Sequence, residues 1–268
     1  MRVYMALGWQ YLREHRLATL VWLAVTALMS YVVASTAPAV ADEQLLRAFL
    51  RNLPSQVRSL FGDYLQYRNG VDYYLSYKWL QIVPLLAGIF GALEAVAVIA
   101  RDIDRRTADF TLALPVRRST VLLARFAAVA VNLALFYLVT LVALWAELWQ
   151  LGLPGSVARY GALFAGQYFV SLAFASLAVL LSLVSRSYGA AVRASELVVI
   201  AAYVADLANR VAGGPTALSR IVLFGWVGTR EVVGEGSFPW GAMLLGLALS
   251  AILLRLSVRV LQRKQIPA

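Results

Sequence analysis

The sequence predicts an all-α integral membrane protein, folded as a bundle of six transmembrane helices. Three observations carry this prediction. Of the 268 residues 61% are hydrophobic and the mean hydropathy is +0.73, well above the roughly 45–50% apolar share of soluble domains. Six runs, 17–37, 79–100, 121–148, 160–184, 188–207 and 240–261, reach the about 20 mostly apolar residues that a helix needs to cross a bilayer core. None alternates with a period of two, so helices rather than a closed barrel satisfy the backbone in lipid. The whole chain, 1–268, reads as one transmembrane domain.

Taken in order, the chain opens with 1–16, where Val3, Leu7 and Tyr11 recur at helical spacing and Arg13, Glu14 and Arg16 gather at the end. This pattern predicts an elbow helix lying in the inner interface before the first span. The alternative, a signal peptide cleaved after Ala39-Val40-Ala41, is disfavoured because the apolar run is too long for a signal core. Segment 42–78 is an outer loop in which Leu45, Leu46, Phe49, Leu50 and Leu53 form an apolar stripe opposite Arg47 and Arg51. Tyr64, Tyr67, Tyr73, Tyr74, Tyr77 and Trp79 follow, and their amphipathic rings predict an aromatic belt at headgroup level. Between the fifth and sixth spans, 213–236 holds an apolar piece too short to cross, bracketed by glycines. Two readings fit it: a re-entrant outer element, or packing above the bundle.

Orientation follows from cations in the short connections. With the N-terminus inside, the inner segments carry Arg2, Arg13 and Arg16, then Arg101, Arg105, Arg106, Arg117 and Arg118, then Arg186, and finally Arg259, Arg263 and Lys264, against Arg159 in the short outer loop. The two longer outer segments carry Arg47, Arg51, Arg58, Arg68 and Lys78, and Arg210, Arg220 and Arg230, but long loops weigh less in this rule. Both termini are therefore expected in the cytoplasm, and the protein in the inner (plasma) membrane. A net charge of +10, almost all arginine, suits anionic lipid headgroups rather than nucleic acid in a chain this apolar.

Several chemistries are excluded. Without cysteine there are no disulfides, thiolate metal sites or thiol nucleophiles. His15 is the sole histidine, and no His-x-x-x-His pair or Gly-x-Ser-x-Gly turn exists, so neither catalytic residues nor a metal site are expected.

The island between the second and third spans is the most specific segment. If 102–114 is helical, Ile103, Thr107, Phe110 and Leu114 share one face. Pro115 ends that helix, and Ser119 or Thr120 is placed to cap the next span. Arg105, Arg106, Thr107, Asp109, Phe110, Leu112, Leu114, Pro115, Arg117 and Arg118 resemble the segment after the second span in type 2 ATP-binding-cassette (ABC) exporter permeases: an acidic and basic stretch, Gly-Thr, a leucine-rich turn, then Pro-Val-Ser-Arg. Here Arg106 and Arg117 replace the usual Gly and Ser, which bears on the subfamily more than on the family. The order of elements extends the similarity over nearly the whole chain.

The resemblance implies a permease subunit of an ATP-driven exporter that pairs with two ABC ATPase subunits and with a second transmembrane subunit, commonly a copy of itself. The island would be the coupling helix, with Phe110 and Leu114 as anchors and the arginines as rim; the competing reading of those arginines is a grip on anionic lipid. No Gly-x-x-x-x-Gly-Lys loop is present, so the chain itself binds no cofactor, and ATP and Mg would sit on the partner ATPase. A second class, a permease-like subunit that transmits ATPase motion to another protein without transport, would use the same helix.

Charges inside spans cost about 2.5–3.5 kcal/mol at a helix centre on insertion scales and must face protein or water. Glu94, Arg125, Arg193 and Glu196 are candidates for the translocation path or for intramembrane pairs, with Arg193 and Glu196 spaced to pair with each other and Glu94 offered Arg125 or Arg193. Ala87 and Gly91, with Gly241 and Gly246, are candidate small residues of a dimer face.

Overall fold

The structure, a computed structural model, describes residues 2–40, 51–52, 69–104, 116–153, 155–211 and 223–263. Among them the chain is helical and holds no strand. The helices are α1 (Arg2–Ser35), α2 (Gly70–Lys78), α3 (Val83–Ala97), α4 (Ala100–Asp104), α5 (Arg118–Gln150), α6 (Val157–Val184), α7 (Tyr188–Val211) and α8 (Trp240–Arg263). Short 3-10 turns cover Ala37–Val40 and Leu223–Trp226, and a π-helix covers Arg230–Glu235.

Four helices, α1, α5, α6 and α8, are long and apolar enough to cross a membrane. Their outward faces are apolar: Leu17, Leu28, Leu138 and Leu244 are all more than half exposed. Their polar residues turn inward. Thr26 bonds Thr140 at 2.8 Å, Tyr137 bonds Ser171 at 2.8 Å, and Gln167 donates to the Leu80 carbonyl at 3.1 Å. This reverses the pattern of a water-soluble bundle and is what lipid demands, since helices there associate through packing and hydrogen bonds.

Contacts fix the packing directions. Gly8 lies against the Ala124 backbone and Thr26 against Thr140, so α1 and α5 run parallel. Gly91 meets Leu133, Gly161 meets Leu141 and Gly88 meets Val199, while Trp79 reaches Ser30; α3 therefore runs against α1, α5 and α7, and α6 against α5. The described flanks of the island, 101–104 and 116–118, thus lie at the end of the bundle where α5 and α7 begin.

Several expectations are corrected. No separate elbow forms at 1–16: α1 is one unbroken helix of 34 residues, about 50 Å at 1.5 Å per residue against a core of about 30 Å. The second span, expected over 79–100, is broken. Its continuous part is the 15-residue α3, with turns at 79–82 and 98–99 on either side. The fifth, α7, has 24 residues but carries Arg193, Glu196 and Asp206, which lower its hydropathy. The aromatic belt is not seen where the residues are described. Tyr73, Tyr74 and Trp79 are buried, and their polar tips turn inward, Tyr74 to Thr36 at 2.6 Å and Trp79 to Ser30 at 3.0 Å. Ala87, Gly91 and Gly246 are buried within the chain itself, Gly246 against the Phe169 carbonyl, so they serve helix contacts inside one subunit rather than a dimer face. Tyr64, Tyr67, the side chain of Tyr77 and the stripe of 42–54, apart from Arg51 and Asn52, lie outside the described residues.

Opposite the island, Asp72 at the start of α2 accepts from the Tyr160 hydroxyl and from Asn69 Nδ2. Arg159 donates to the Val233 and Gly234 carbonyls at 2.5 and 2.9 Å, filling acceptors that the last turn of a helix leaves open. The described part of 213–236 is therefore tied to α6, and Phe224 is buried against Phe174.

Candidate functional site

The breaks in the second span place its polar residues. At the island end α3 stops at Ala97, a turn follows, and α4 resumes at Ala100. Across that turn Asp102 donates its amide to Ile99, three residues back, at 3.1 Å, the tighter 3-10 pattern. The Val98 carbonyl accepts instead from Arg125 Nη1 at 2.7 Å, and the same nitrogen donates to Asp102 Oδ2 at 2.7 Å. One guanidinium nitrogen thus spends both protons bracing the broken second span onto α5. The Arg125 side chain is 7% exposed and that of Asp102 21%.

A second cluster lies one helix turn deeper. Glu94 Oε2 accepts from Asn132 Nδ2 at 3.0 Å, and that amide also donates to Thr19 Oγ1 at 3.1 Å. The Tyr11 hydroxyl donates to the Glu94 carbonyl, and its ring stacks on His15 with centroids 4.0 Å apart. His15 Nδ1 faces the Tyr11 carbonyl at 3.0 Å, which only accepts, so Nδ1 carries the proton. Nε2 is then the acceptor for Arg101 Nη1 at 3.0 Å. The tautomer follows from both partners together.

Of these groups His15, Glu94 and Arg101 face a half-open cavity of about 440 Å³ between α1, α3 and the start of α7, lined also by Trp22, Phe90 and Tyr188. That volume lies within the roughly 300–1,000 Å³ of small-molecule sites. Among the described residues no group of three His, Asp or Glu could hold a metal ion.

Of the residues singled out from the sequence, Glu94 and Arg125 come to this region but do not pair. Glu94 takes Asn132 and Arg125 takes Asp102, because Arg125 lies at the level of the turn and Glu94 sits a turn deeper, opposite Asn132. Arg193 is exposed and Glu196 half-buried on α7, with no ion pair between them among the described residues. Arg105, Arg106, Thr107, Asp109, Phe110, Leu112, Leu114 and Pro115 lie outside the described residues. Arg117 is exposed and serves as the N-cap of α5, without a side-chain cap from Ser119 or Thr120; Arg118 begins the helix. Tyr11, His15, Thr19, Asp102 and Asn132 were not singled out from the sequence as site residues. Asn132, an amide in mid-span, was the one signal that could have marked the cluster, since an amide in lipid demands partners.

A search of curated proteins finds no match to this sequence. Residues 10–218 match the family described as ABC-2 family transporter protein, a stretch that runs from the Tyr11–His15 turn through α3, the island, α5 and α6 to the end of α7. With more than half of the chain matched, and with apolar helices that bury their polar residues against one another, the protein is a multi-pass membrane protein that belongs to the ABC-2 transporter family.

Proposed function

We propose that this chain is the permease subunit of an ATP-driven exporter, a single transmembrane domain over 1–268 in which α3 and α7 cross the bilayer together with the four longer helices. Six crossings put both termini and the island on the cytosolic side of the inner (plasma) membrane. Two ABC ATPase subunits, carrying ATP and Mg, engage 102–114 as a coupling helix, a second copy of the chain completes the pathway, and anionic lipid meets the arginines at the cytosolic face.

The observation that carries this reading is the Arg125 brace. A coupling element transmits motion only if it is stiffly joined to the spans it moves, and Arg125 fixes Val98 and Asp102, at the root of the island, to the first turns of α5. A push on the island therefore displaces the second and third spans together. The cavity between α1, α3 and α7 favours transport over motion transmission alone, since it offers a volume for a cargo beside the braced element.

The test is to express the chain with candidate ABC ATPases and measure co-purification and ATPase turnover. Phe110→Ala with Leu114→Ala is expected to lower ATPase affinity by about tenfold or more, as loss of two interface anchors does, with the bundle still folded. Unchanged affinity and unchanged turnover would refute the role given to the island.

A further inference from the structure

From the cavity beside Glu94 we infer that this permease binds an organic cation with an apolar body, an ammonium or phosphonium amphiphile; the inference rests on the permease reading for its meaning as cargo, though not for the binding itself. Glu94 is 5% exposed. One of its carboxylate oxygens accepts from Asn132, and the other accepts no hydrogen bond among the described residues although the residue lines the cavity. A carboxyl group withdrawn from water keeps its charge only where a cation compensates it and otherwise takes up a proton, so a bound cation would be drawn to its free oxygen. Arg125 is bound to Asp102 and Val98, and Arg101 places its hydrogen bond on the neutral His15 ring, so neither arginine hydrogen-bonds Glu94.

The cavity's charges point the same way. Among the described residues that line it, Glu94 and Asp104 are acidic and Arg101 is the one cationic side chain, while His15 cannot add a proton at Nε2 without losing the Arg101 bond. Acidic side chains thus outnumber cationic ones two to one among the described lining residues, which disfavours an anionic headgroup. Trp22, Phe90 and Tyr188 supply aromatic surface around it, and such faces attract cations, most strongly where water is excluded. A bare metal ion is a poor fit, because it needs several oxygen ligands and the described residues offer no group of three acidic or histidine side chains. An organic cation uses one carboxylate oxygen and aromatic walls, which is what the cavity offers.

Tetraphenylphosphonium and tetraphenylborate have nearly the same shape and opposite charge, so they separate charge from hydrophobicity. Binding of each is measured to the purified full chain in phosphatidylcholine nanodiscs. The wild type is expected to bind the phosphonium about tenfold or more tighter than the borate. Glu94→Gln keeps an acceptor for Asn132 and removes the charge, and it should abolish that preference. Should Glu94→Gln fail to fold, Arg101→Gln decides: removal of the cavity's cation should tighten phosphonium binding, and unchanged or weaker binding overturns the inference. Equal binding of both ions to the wild type, or an unaltered preference in Glu94→Gln, overturns it as well. Association with an ATPase is scored on the same samples. Lost ion selectivity with a bound ATPase refutes the ligand class alone, and retained selectivity with no ATPase refutes the permease reading alone.

Discussion

Removal of Arg125 should be among the most damaging single changes at the island end of the bundle. Its Nη1 makes two hydrogen bonds of 2.7 Å, one to the Val98 carbonyl and one to Asp102 Oδ2. Hydrogen bonds that involve a charged group contribute about 1.5–3 kcal/mol each, so Arg125→Ala would lose about 3–6 kcal/mol if neither acceptor found water. Asp102, at 21% side-chain exposure, is within reach of water once Arg125 is gone, which places the expected loss near the lower end, about 3–4 kcal/mol. Asp102→Ala leaves Arg125 with the Val98 carbonyl and should cost about 2 kcal/mol. The double variant should then show a coupling energy of about 1.5–2 kcal/mol. Equilibrium unfolding in mixed detergent, followed by circular dichroism, yields the three free energies. A coupling energy under about 0.5 kcal/mol would show that the pair does not brace the turn, and the mechanical link drawn from the island to the second and third spans would fall with it.

Other expected outcomes are simpler. Gly246→Ala places a Cβ 2.7 Å from the Phe169 oxygen and 2.8 Å from its carbonyl carbon; these are backbone atoms that cannot rotate aside, so thermal unfolding should show a loss of about 1–3 kcal/mol. Gly241→Ala, whose Cβ meets nothing within 4 Å, serves as the matched control and should be neutral or stabilising by up to about 1 kcal/mol. Tyr160→Phe removes a donor to the buried Asp72 carboxylate and should cost about 1.5–3 kcal/mol, with faster proteolysis at the end of the bundle opposite the island; an unchanged cleavage rate would argue against the latch between α2 and α6.

The membrane class and the approximate positions of the four long apolar helices are legible in the sequence because they depend on run length and composition. A stretch of Leu, Val and Ala of sufficient length is helical in lipid wherever its neighbours lie. The finer shape of the second span was not legible. Its turns at 79–82 and 98–99 contain no glycine, and Pro84 sits inside the first turn of α3, where a proline is tolerated. The breaks are held by partners distant in sequence, Trp79 by Ser30 and Val98 by Arg125. The aromatic residues show the same limit, for an amphipathic ring before a span suits a headgroup belt and a buried hydrogen bond equally well until its neighbours are known.

The sequence by itself determined that this chain lives in a membrane and that a distinctive polar segment separates two of its apolar runs; through the motif in that segment it also pointed to the family that the match over residues 10–218 shows. Only the tertiary structure decided which charges meet. Glu94 and Arg125 are equally plausible partners in a linear reading, yet helix depth and rotation send one to Asn132 and the other to Asp102. Hydrogen bonds act over about 3 Å, whereas sequence patterns fix a residue's place in the bundle far more coarsely. The site beside Glu94 therefore belongs to the packing of α1, α3, α5 and α7, and to none of these helices alone.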